Sequence, residues 1–367
     1  MMASWPPLGR IFLILSCIMI YLCTRSGLIN SYFKLLGLCF VIPHISWQIS
    51  KIVRHYFAQI TFISPVNKAI LITGCDSGFG QLAAKALDTY GFHVFAGCLQ
   101  PKGLGAQRLY KTTSNRLRIL NLDVTQPSDI EAAIKEIEES DLQLWAVVNN
   151  AAITDWGPVE WDSDSCRIRK IFEVNLFGLI KITNSCLPLL RKTKGRIVNI
   201  SSVFGRITVG GMVPYCMSKH AVRSYTDGLR REISHTGIKV ICIEPLAYQT
   251  EMTKEERIPE SLKSAWQMAD DGTKEFYGKA SQQELINDLK GLLRIASPNV
   301  SEVTEAIEEA ATATSPSDFY RCYSLFHGLV IWLSEQLNEQ FLDILLRRPF
   351  LRKIVHILAL PALKGKV

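Results

Sequence analysis

The first 75 residues of this 367-residue chain hold no aspartate and no glutamate. Their charges are Arg10, Arg25, Lys34, Lys51, Arg54 and Lys68. The other end is similar: no acid follows Asp343, while Arg347, Arg348, Arg352, Lys353, Lys364 and Lys366 do. Basic, acid-free ends beside apolar residues suit an anionic lipid surface. Nucleic acid is the other partner suggested by a net charge of +7. It is not expected, because there is no recognition module and no basic groove interleaved with aromatics. The ten cysteines include no Cys-x-x-Cys pair, and none stands near a histidine at ligand spacing. No metal is therefore expected, and most cysteines read as small buried hydrophobes. Repeats and low-complexity linkers are also missing. The length allows one large domain or two ordinary ones.

Long apolar runs are scarce too. Leu8 to Cys23 is apolar apart from Gly9, Arg10 and Ser16, but its uninterrupted part from Ile11 falls short of the ~20 residues that span a bilayer. A second run, Leu35 to Trp47, is broken by Pro43 and His44. An anchor, a cleaved signal peptide and a buried helix compete for the first run. The exit Cys23-Thr24-Arg25-Ser26 lacks the small residues a cleavage site needs, which favours the anchor. Membrane-embedded segments are expected at 11–23 and, spanning or interfacial, at 35–54. In the tail, Leu345, Leu346, Phe350, Leu351, Ile354 and Leu358 interleave with the basic residues. The chain is accordingly divided into a membrane-associated region 1–64, a main domain 65–335 and a basic amphipathic extension 336–367. The expected setting is a membrane, the endoplasmic reticulum before the mitochondrial membrane.

Between these ends the texture alternates. Strands are expected at Lys68–Thr73, His93–Ala96, Leu117–Leu122, Trp145–Asn149, Arg196–Ile200 and Lys239–Ile243. Helices are expected at Phe79–Asp88, Pro127–Glu139, Ile168–Leu190 and Tyr215–Ser234. Apolar strands alternating with helices predict an α/β fold with a doubly wound parallel sheet, the Rossmann arrangement. From Ile243 to Phe319 the pattern loosens around helical stretches at 258–290 and 301–312. Such an excursion past a strand's carboxyl end is expected to be functional.

The first strand runs into Thr73-Gly74-Cys75-Asp76-Ser77-Gly78-Phe79-Gly80 and then a helix. Glycines let the backbone turn tightly and approach a pyrophosphate, and the helix N-terminus offers free N–H groups to the anion. A nucleoside-triphosphate loop would need Lys-Ser/Thr, which is absent. The spacing resembles the short-chain dehydrogenase/reductase family, and the resemblance recurs in order over about residues 66–250. Leu122-Asp123-Val124-Thr125 is similar to the segment whose aspartate touches adenine. Asn149-Asn150-Ala151-Ala152 is similar to the family's Asn-Asn-Ala-Gly, and Asn175-Leu-Phe-Gly178 to its Asn-x-x-Gly. Ser201-Ser202 and Tyr215-Cys-Met-Ser-Lys219 match the catalytic core. Glu244-Pro245 with Thr250 falls where the family closes over the nicotinamide. The wording resembles the branch of retinol, 17β-hydroxysteroid and 3-hydroxybutyrate dehydrogenases.

The resemblance implies catalysis by Asn175, Ser202, Tyr215 and Lys219. It implies cofactor binding by Thr73, Gly74, Ser77, Gly78, Phe79, Gly80, Cys98, Asp123, Asn149, Ala151, Tyr215, Lys219, Pro245 and Thr250. Tyr215 and Lys219, at i and i+4, share one face of a helix. A phenol titrates near ~10, and a neighbouring ammonium favours its ionised form. Ser202 would hold the substrate oxygen against Tyr215, and Asn175 would, by the resemblance, hold a water linking Lys219 to solvent. An acid ending the second strand would bind the ribose of NAD, and a nearby arginine the phosphate of NADP. That position is Cys98, with Lys102 the nearby base, so neither rule decides. The branch resemblance favours NAD, with NADP as the alternative.

Two departures stand out: Leu246 replaces the usual glycine after Pro245, and Ala152 replaces the last glycine of Asn-Asn-Ala-Gly. Ile207, Val209, Met212, Val213, Met252, Trp266, Met268, Trp156 and Trp161 are candidates for an apolar pocket that suits a steroid, a retinoid or another lipid alcohol. A 3-hydroxybutyrate-type hydroxy acid is the alternative and would need a cation such as Arg206 or Arg223. A non-catalytic cofactor-binding or scaffold protein is the alternative of another class. Homo-oligomerisation is left open.

Overall fold

The computed structural model describes residues 61–293 and 296–336, with isolated positions beyond them. The chain divides into two compact units, 1–61 and 62–367, and the described residues fall almost entirely in the second. The expected segments 11–23 and 35–54 and the tail beyond 336 lie almost wholly outside the described residues. Among the described residues no helix is long and apolar enough to cross a membrane.

Seven parallel strands form one sheet in the order β3-β2-β1-β4-β5-β6-β7. They are β1 (Lys68–Thr73), β2 (His93–Cys98), β3 (Leu117–Asn121), β4 (Gln143–Asn149), β5 (Arg196–Ile200), β6 (Lys239–Pro245) and β7 (Phe319–Cys322). Successive side chains of a strand face opposite sides. Ile70 and Ile72 therefore enter one core with Val148, Val198 and Ile241. Leu71 enters the other with Val147, Ile197 and Val240. Both faces must be covered, and helices do it.

Ala83, Ala84 and Leu87 of α1 (Gly78–Thr89) and Ala106 and Leu109 of α2 (Leu104–Thr112) cover the first face. Ile130, Ala133 and Ile137 of α3 (Pro127–Glu138) cover the second. The long helix expected at Ile168–Leu190 is α4 (Cys166–Phe172), a π-helical turn (Glu173–Gly178) and α5 (Leu179–Thr193) in succession. α6 (Val213–Glu232) follows β5. Strand order reverses between β1 and β4, so the crevice at their carboxyl ends is where a ligand fits.

The excursion after β6 contains α7 (Arg257–Met268) and α8 (Asp271–Leu293), the latter bent at Gly278, which sits at φ 64°. Ile258, Leu262 and Ala265 of α7 and Leu285 and Leu289 of α8 build a third apolar cluster with Trp156, Trp161 and Met212. Trp161 and Trp266 meet edge to face with centroids 4.8 Å apart. The chain then returns to the sheet through α9 (Ser301–Thr312). Two groups on the sheet satisfy carbonyls at the end of α9, which the helix itself leaves open. The Trp145 indole N–H donates to Ala311 at 2.9 Å, and Arg196 Nη1 donates to Ala310 at 2.8 Å. The seventh strand and α10 (Leu325–Gln336) follow.

Candidate active site

A cleft of about 410 Å³ opens at the carboxyl ends of β1, β4, β5 and β6. Its floor is the turn from β1 into α1. Gly74 has φ 71°, and a Cβ on it would lie 2.8 Å from the Ala151 Cα. A Cβ on Gly80 would collide with the Gly74 carbonyl and the Asn150 amide. These glycines are therefore demanded by close approach as well as by turning. The approach is fastened by Asn150 Nδ2, which donates to the carbonyls of Thr73 at 2.9 Å and Gly74 at 3.0 Å. The Thr73 hydroxyl accepts from the N–H groups of Asn150 at 3.1 Å and Ala151 at 3.0 Å. Ser77 makes no side-chain cap on α1. The first-turn N–H groups of α1 are left without that partner beside the cleft, which fits an anionic pyrophosphate.

The sequence-derived residues fall into two groups. Gly74, Ser77, Gly78, Phe79, Ala151, Ser202, Tyr215, Lys219, Pro245 and Thr250 line the cleft. Thr73, Gly80, Cys98, Asp123, Asn149 and Asn175 do not line it. The Asn149 amide donates to Thr183 at 2.9 Å and Asn199 at 2.8 Å inside the core. Asp123 accepts from the N–H and hydroxyl of Thr125, at 2.9 and 2.8 Å, and so folds the loop after β3. Asn175 occupies the π-helical turn, a local widening often found at functional sites. Its amide donates to the Ile153 carbonyl at 2.9 Å and to Ser218 Oγ at 3.0 Å, and its oxygen accepts from the Ile153 N–H at 2.8 Å. It thereby braces the segment after β4 against α6, one residue from Lys219.

Tyr215 and Lys219 stand together as their helical spacing expects, with the Lys219 Nζ 5.7 Å from the Tyr215 ring centroid. Lys219 is only 3% exposed, and its Nζ donates to the Ile200 carbonyl at 2.9 Å. With no carboxylate among the described residues paired to it, burial pulls its pKa down from 10.5 to about 8. Tyr215 moves the other way from the expected direction. Burial raises the phenol's pKa, and the hydrogen bond with Ser202 offsets only part of that. Desolvation outweighs that hydrogen bond, so the phenol holds its proton more tightly than a free one. Ser202 caps the short turn Val203–Gly205 by accepting from the Phe204 N–H at 3.2 Å. That contact sets the hydroxyl at the end of β5.

A smaller, apolar cavity of about 50 Å³ adjoins the pair. Of the expected pocket residues, Trp156, Met212 and Met252 line it. Trp161 and Trp266 pack in the cluster beneath α7, and Met268 is exposed. Phe204 and Leu293 also line it and were not signalled by the sequence pattern, and so does Leu246, one of the two departures from the family pattern. Leu246 is absent from the described non-glycine residues with positive φ, which are Asn67, Asp141, Ser165 and Lys194. The backbone there accommodates a leucine without strain, and its side chain reaches both cavities. Ala152 lines the cleft. Arg206 and Arg223 line neither cavity. Arg206 pairs with the buried Glu244 at 2.8 Å and with Glu335 at 2.7 Å, and Arg223 lies 3.5 Å from Glu244.

The doubly wound sheet, the glycine turn and the buried Ser202–Tyr215–Lys219 group define a dinucleotide-dependent oxidoreductase. The chain belongs to the short chain dehydrogenase family, whose model matches residues 68–261. It is 40% identical to retinol dehydrogenase 7 of Rattus norvegicus over 69% of this chain and 80% of that protein. It is 42% identical to 17-beta-hydroxysteroid dehydrogenase type 6 of Homo sapiens over 72% of this chain and 84% of that protein. A solved short-chain dehydrogenase/reductase from Burkholderia phymatum, in complex with NAD, matches with TM-score 0.60 at 19% identity. That match covers 77% of this chain and 96% of its own. At that identity the likeness speaks for the fold.

Proposed function

We propose that this chain interconverts a hydrophobic alcohol and its carbonyl, of steroid- or retinoid-like character, with NAD as the preferred dinucleotide, at the endoplasmic reticulum membrane. The carrying observation is that Ser202 and Tyr215 line both the polar cleft and the apolar cavity. A reacting oxygen between them would have an oily body on one side and a dinucleotide on the other. The printed names of the relatives, retinol and 17-beta-hydroxysteroid dehydrogenases, agree with such a body, and acid-free basic ends agree with a lipid surface.

The chain's own residues divide the work. Ser202 donates to the substrate oxygen and orients it. Tyr215 hands a proton to the carbonyl in reduction and takes the hydroxyl proton in oxidation. Burial keeps the phenol protonated, which suits the first direction. The second needs positive charge close to the phenolate, and Lys219 is the cation at hand. Asn175 fixes the segment after β4, where Thr154 and Trp156 form one wall of the cavity. When bound, the nicotinamide supplies the hydride acceptor or donor.

The hydroxy-acid alternative loses the two cations the sequence offered for it, since Arg206 and Arg223 are committed to Glu244 and lie away from the cavity walls. The scaffold alternative loses its main argument with the unstrained Leu246. The test is NADH fluorescence during a screen of lipid alcohols and hydroxy acids on detergent-solubilised protein. Turnover of apolar alcohols is expected. Turnover of hydroxy acids alone, or cofactor binding without turnover of any substrate, would overturn the reading. Alkaline carbonate extraction tests the membrane part, which release into the soluble fraction would contradict.

A further inference from the structure

Ser202 owes its place to the short turn Val203–Gly205 and to the strand beside it. Its hydroxyl caps the turn, and its carbonyl accepts from the Gly205 N–H at 2.9 Å. The Val203 carbonyl then accepts from the Arg206 N–H at 2.9 Å and closes the turn. The turn lies hard against α6, since a Cβ on Gly205 would collide with the Lys219 carbonyl and with Ser201 Oγ. On its other side the Ser202 hydroxyl donates to the Pro245 carbonyl at 3.4 Å, at the end of β6. The aim of that hydroxyl therefore depends on how the turn after β5 is set against the end of β6.

A buried ion network stands at this junction. Arg206 ends the turn, and Glu244 precedes Pro245. The Arg206 Nε donates to Glu244 Oε2 at 2.8 Å, and its Nη1 donates to Glu335 Oε1 of α10 at 2.7 Å. The Arg206 side chain is 5% exposed and that of Glu244 0%. Arg223 of α6 and Arg321 of β7 flank Glu244 at 3.5 and 3.8 Å. Neither Arg206 nor Glu244 lines the cleft or the small cavity. As a fastener such a pair gains little, because taking two charges out of water costs about as much as their attraction returns. Apolar packing would hold the junction as well. What the ion pair adds is direction. A guanidinium is a rigid planar fork, and here its two branches hold two carboxylates on different elements.

We propose that Arg206 is a positioning residue for Ser202. By tying the turn to Glu244 and Glu335, it sets the Ser202 hydroxyl in register with Tyr215. A misplacement of about 1 Å can cost roughly 10²-fold in rate, so a loosened turn should show in turnover before it shows in cofactor affinity. The proposal rests on the reading of Ser202 as the group that orients the substrate oxygen.

The test is a double-mutant cycle. Turnover, NADH affinity and thermal unfolding are measured for the wild type, Arg206→Lys, Ser202→Ala and the double variant. The assay uses NAD and whichever of a hydroxysteroid and retinol the wild type oxidises faster. Lysine keeps the charge, but its single nitrogen cannot hold both carboxylates in the fork's geometry. Arg206→Lys should lower kcat about tenfold and leave NADH affinity within about twofold. Beside Ser202→Ala the same change should cost less than about twofold, because the hydroxyl it positions is gone. Glu335→Gln, which leaves the Arg206–Glu244 pair in place, carries the same cycle should the lysine variant fail to fold. Its cost should be about threefold and should vanish without the Ser202 hydroxyl. A merely structural role would lower kcat by the same factor in both backgrounds, which overturns the proposal. Unchanged kcat in both Arg206→Lys and Glu335→Gln also overturns it and leaves the reading of Ser202 intact. Ser202→Ala at the wild-type rate overturns both.

Discussion

The two cavities that meet at Tyr215 are built from different material. The larger, about 410 Å³, is walled largely by strand ends and short turns held by backbone hydrogen bonds, such as those of Asn150 and Thr73. The smaller, about 50 Å³, is walled mainly by side chains. Ala247, Met252, Thr253 and Leu293 among them come from the excursion after β6. Backbone walls hold their shape through most substitutions, whereas side-chain walls change with each one. The fold therefore fixes the dinucleotide and the proton chemistry, and leaves the substrate to be retuned. Pockets for drug-sized ligands run to roughly 300–1,000 Å³. Side chains such as Met252 and Leu293 must swing aside before a steroid-sized body enters.

Four substitutions or titrations break this contrast or sharpen it. Tyr215→Phe should have the largest effect. It should lower turnover by about 10³-fold or more, at the upper end of what general acid–base catalysis contributes, while NADH binding persists. Loss of NADH binding would place the phenol's role in the cofactor half alone. Gly80→Ala should do the reverse. The added methyl meets the Gly74 carbonyl and the Asn150 amide, so NADH affinity should fall about tenfold or more, with a lower melting temperature. Unchanged affinity would show that the turn gives way.

The third concerns pH. Lys219 titrates at about 8 when folded, against 10.5 for an ordinary lysine. Between those values this group keeps its proton in the unfolded chain and loses it in the folded one, so Lys219 by itself adds stability as pH rises, by about 3 kcal/mol over the whole interval. Buried thiols such as Cys98, Cys186 and Cys242, pushed up by desolvation, act the other way from about pH 9, and buried Tyr215 joins them above about pH 10, because the unfolded chain loses these protons first. Denaturant unfolding at pH 7.5 and 9.5 checks this. The stability of the wild type relative to Lys219→Met should rise between these pH values, and parallel profiles would contradict the assignment. The smallest effect belongs to Leu293→Ala, whose side chain lines the small cavity and not the cleft; it should shift kcat/KM among apolar alcohols of different bulk by about tenfold and leave NADH affinity alone. A change in NADH affinity would show that the two walls are not independent.

The same division explains what could be read before folding. Strands β1, β2, β4, β5 and β6 were legible because parallel strands buried on both faces are largely apolar runs; the edge strand β3 was read from its place in the alternation. Tyr215 and Lys219 were legible through the resemblance of Tyr215-Cys-Met-Ser-Lys219 to the family's catalytic core, and helical spacing sets their common face. Phe319–Cys322 was not read as a strand. Four residues at the sheet's edge, one of them an exposed arginine, carry no periodic signal. The π-helical turn around Asn175 leaves no trace in hydrophobic spacing, and neither does the bend at Gly278. Cys98 was aligned to the correct strand end, yet burial turns it inward and Asp76 faces the cleft from the neighbouring turn. Phe204 and Leu293 reach the small cavity from places far apart in sequence, and only tertiary packing brings them together.

The central claim is that a substrate carbon at this site exchanges hydride with a nicotinamide while Tyr215 moves the proton. The most direct measurement uses an apolar secondary alcohol deuterated at the carbinol carbon, incubated with oxidised cofactor and detergent-solubilised protein, with deuterium in the reduced cofactor read by mass spectrometry. Deuterium should appear there with the wild type and be lost with Tyr215→Phe. Its absence with a wild type that binds both molecules, or its persistence in the phenylalanine variant, would contradict the account.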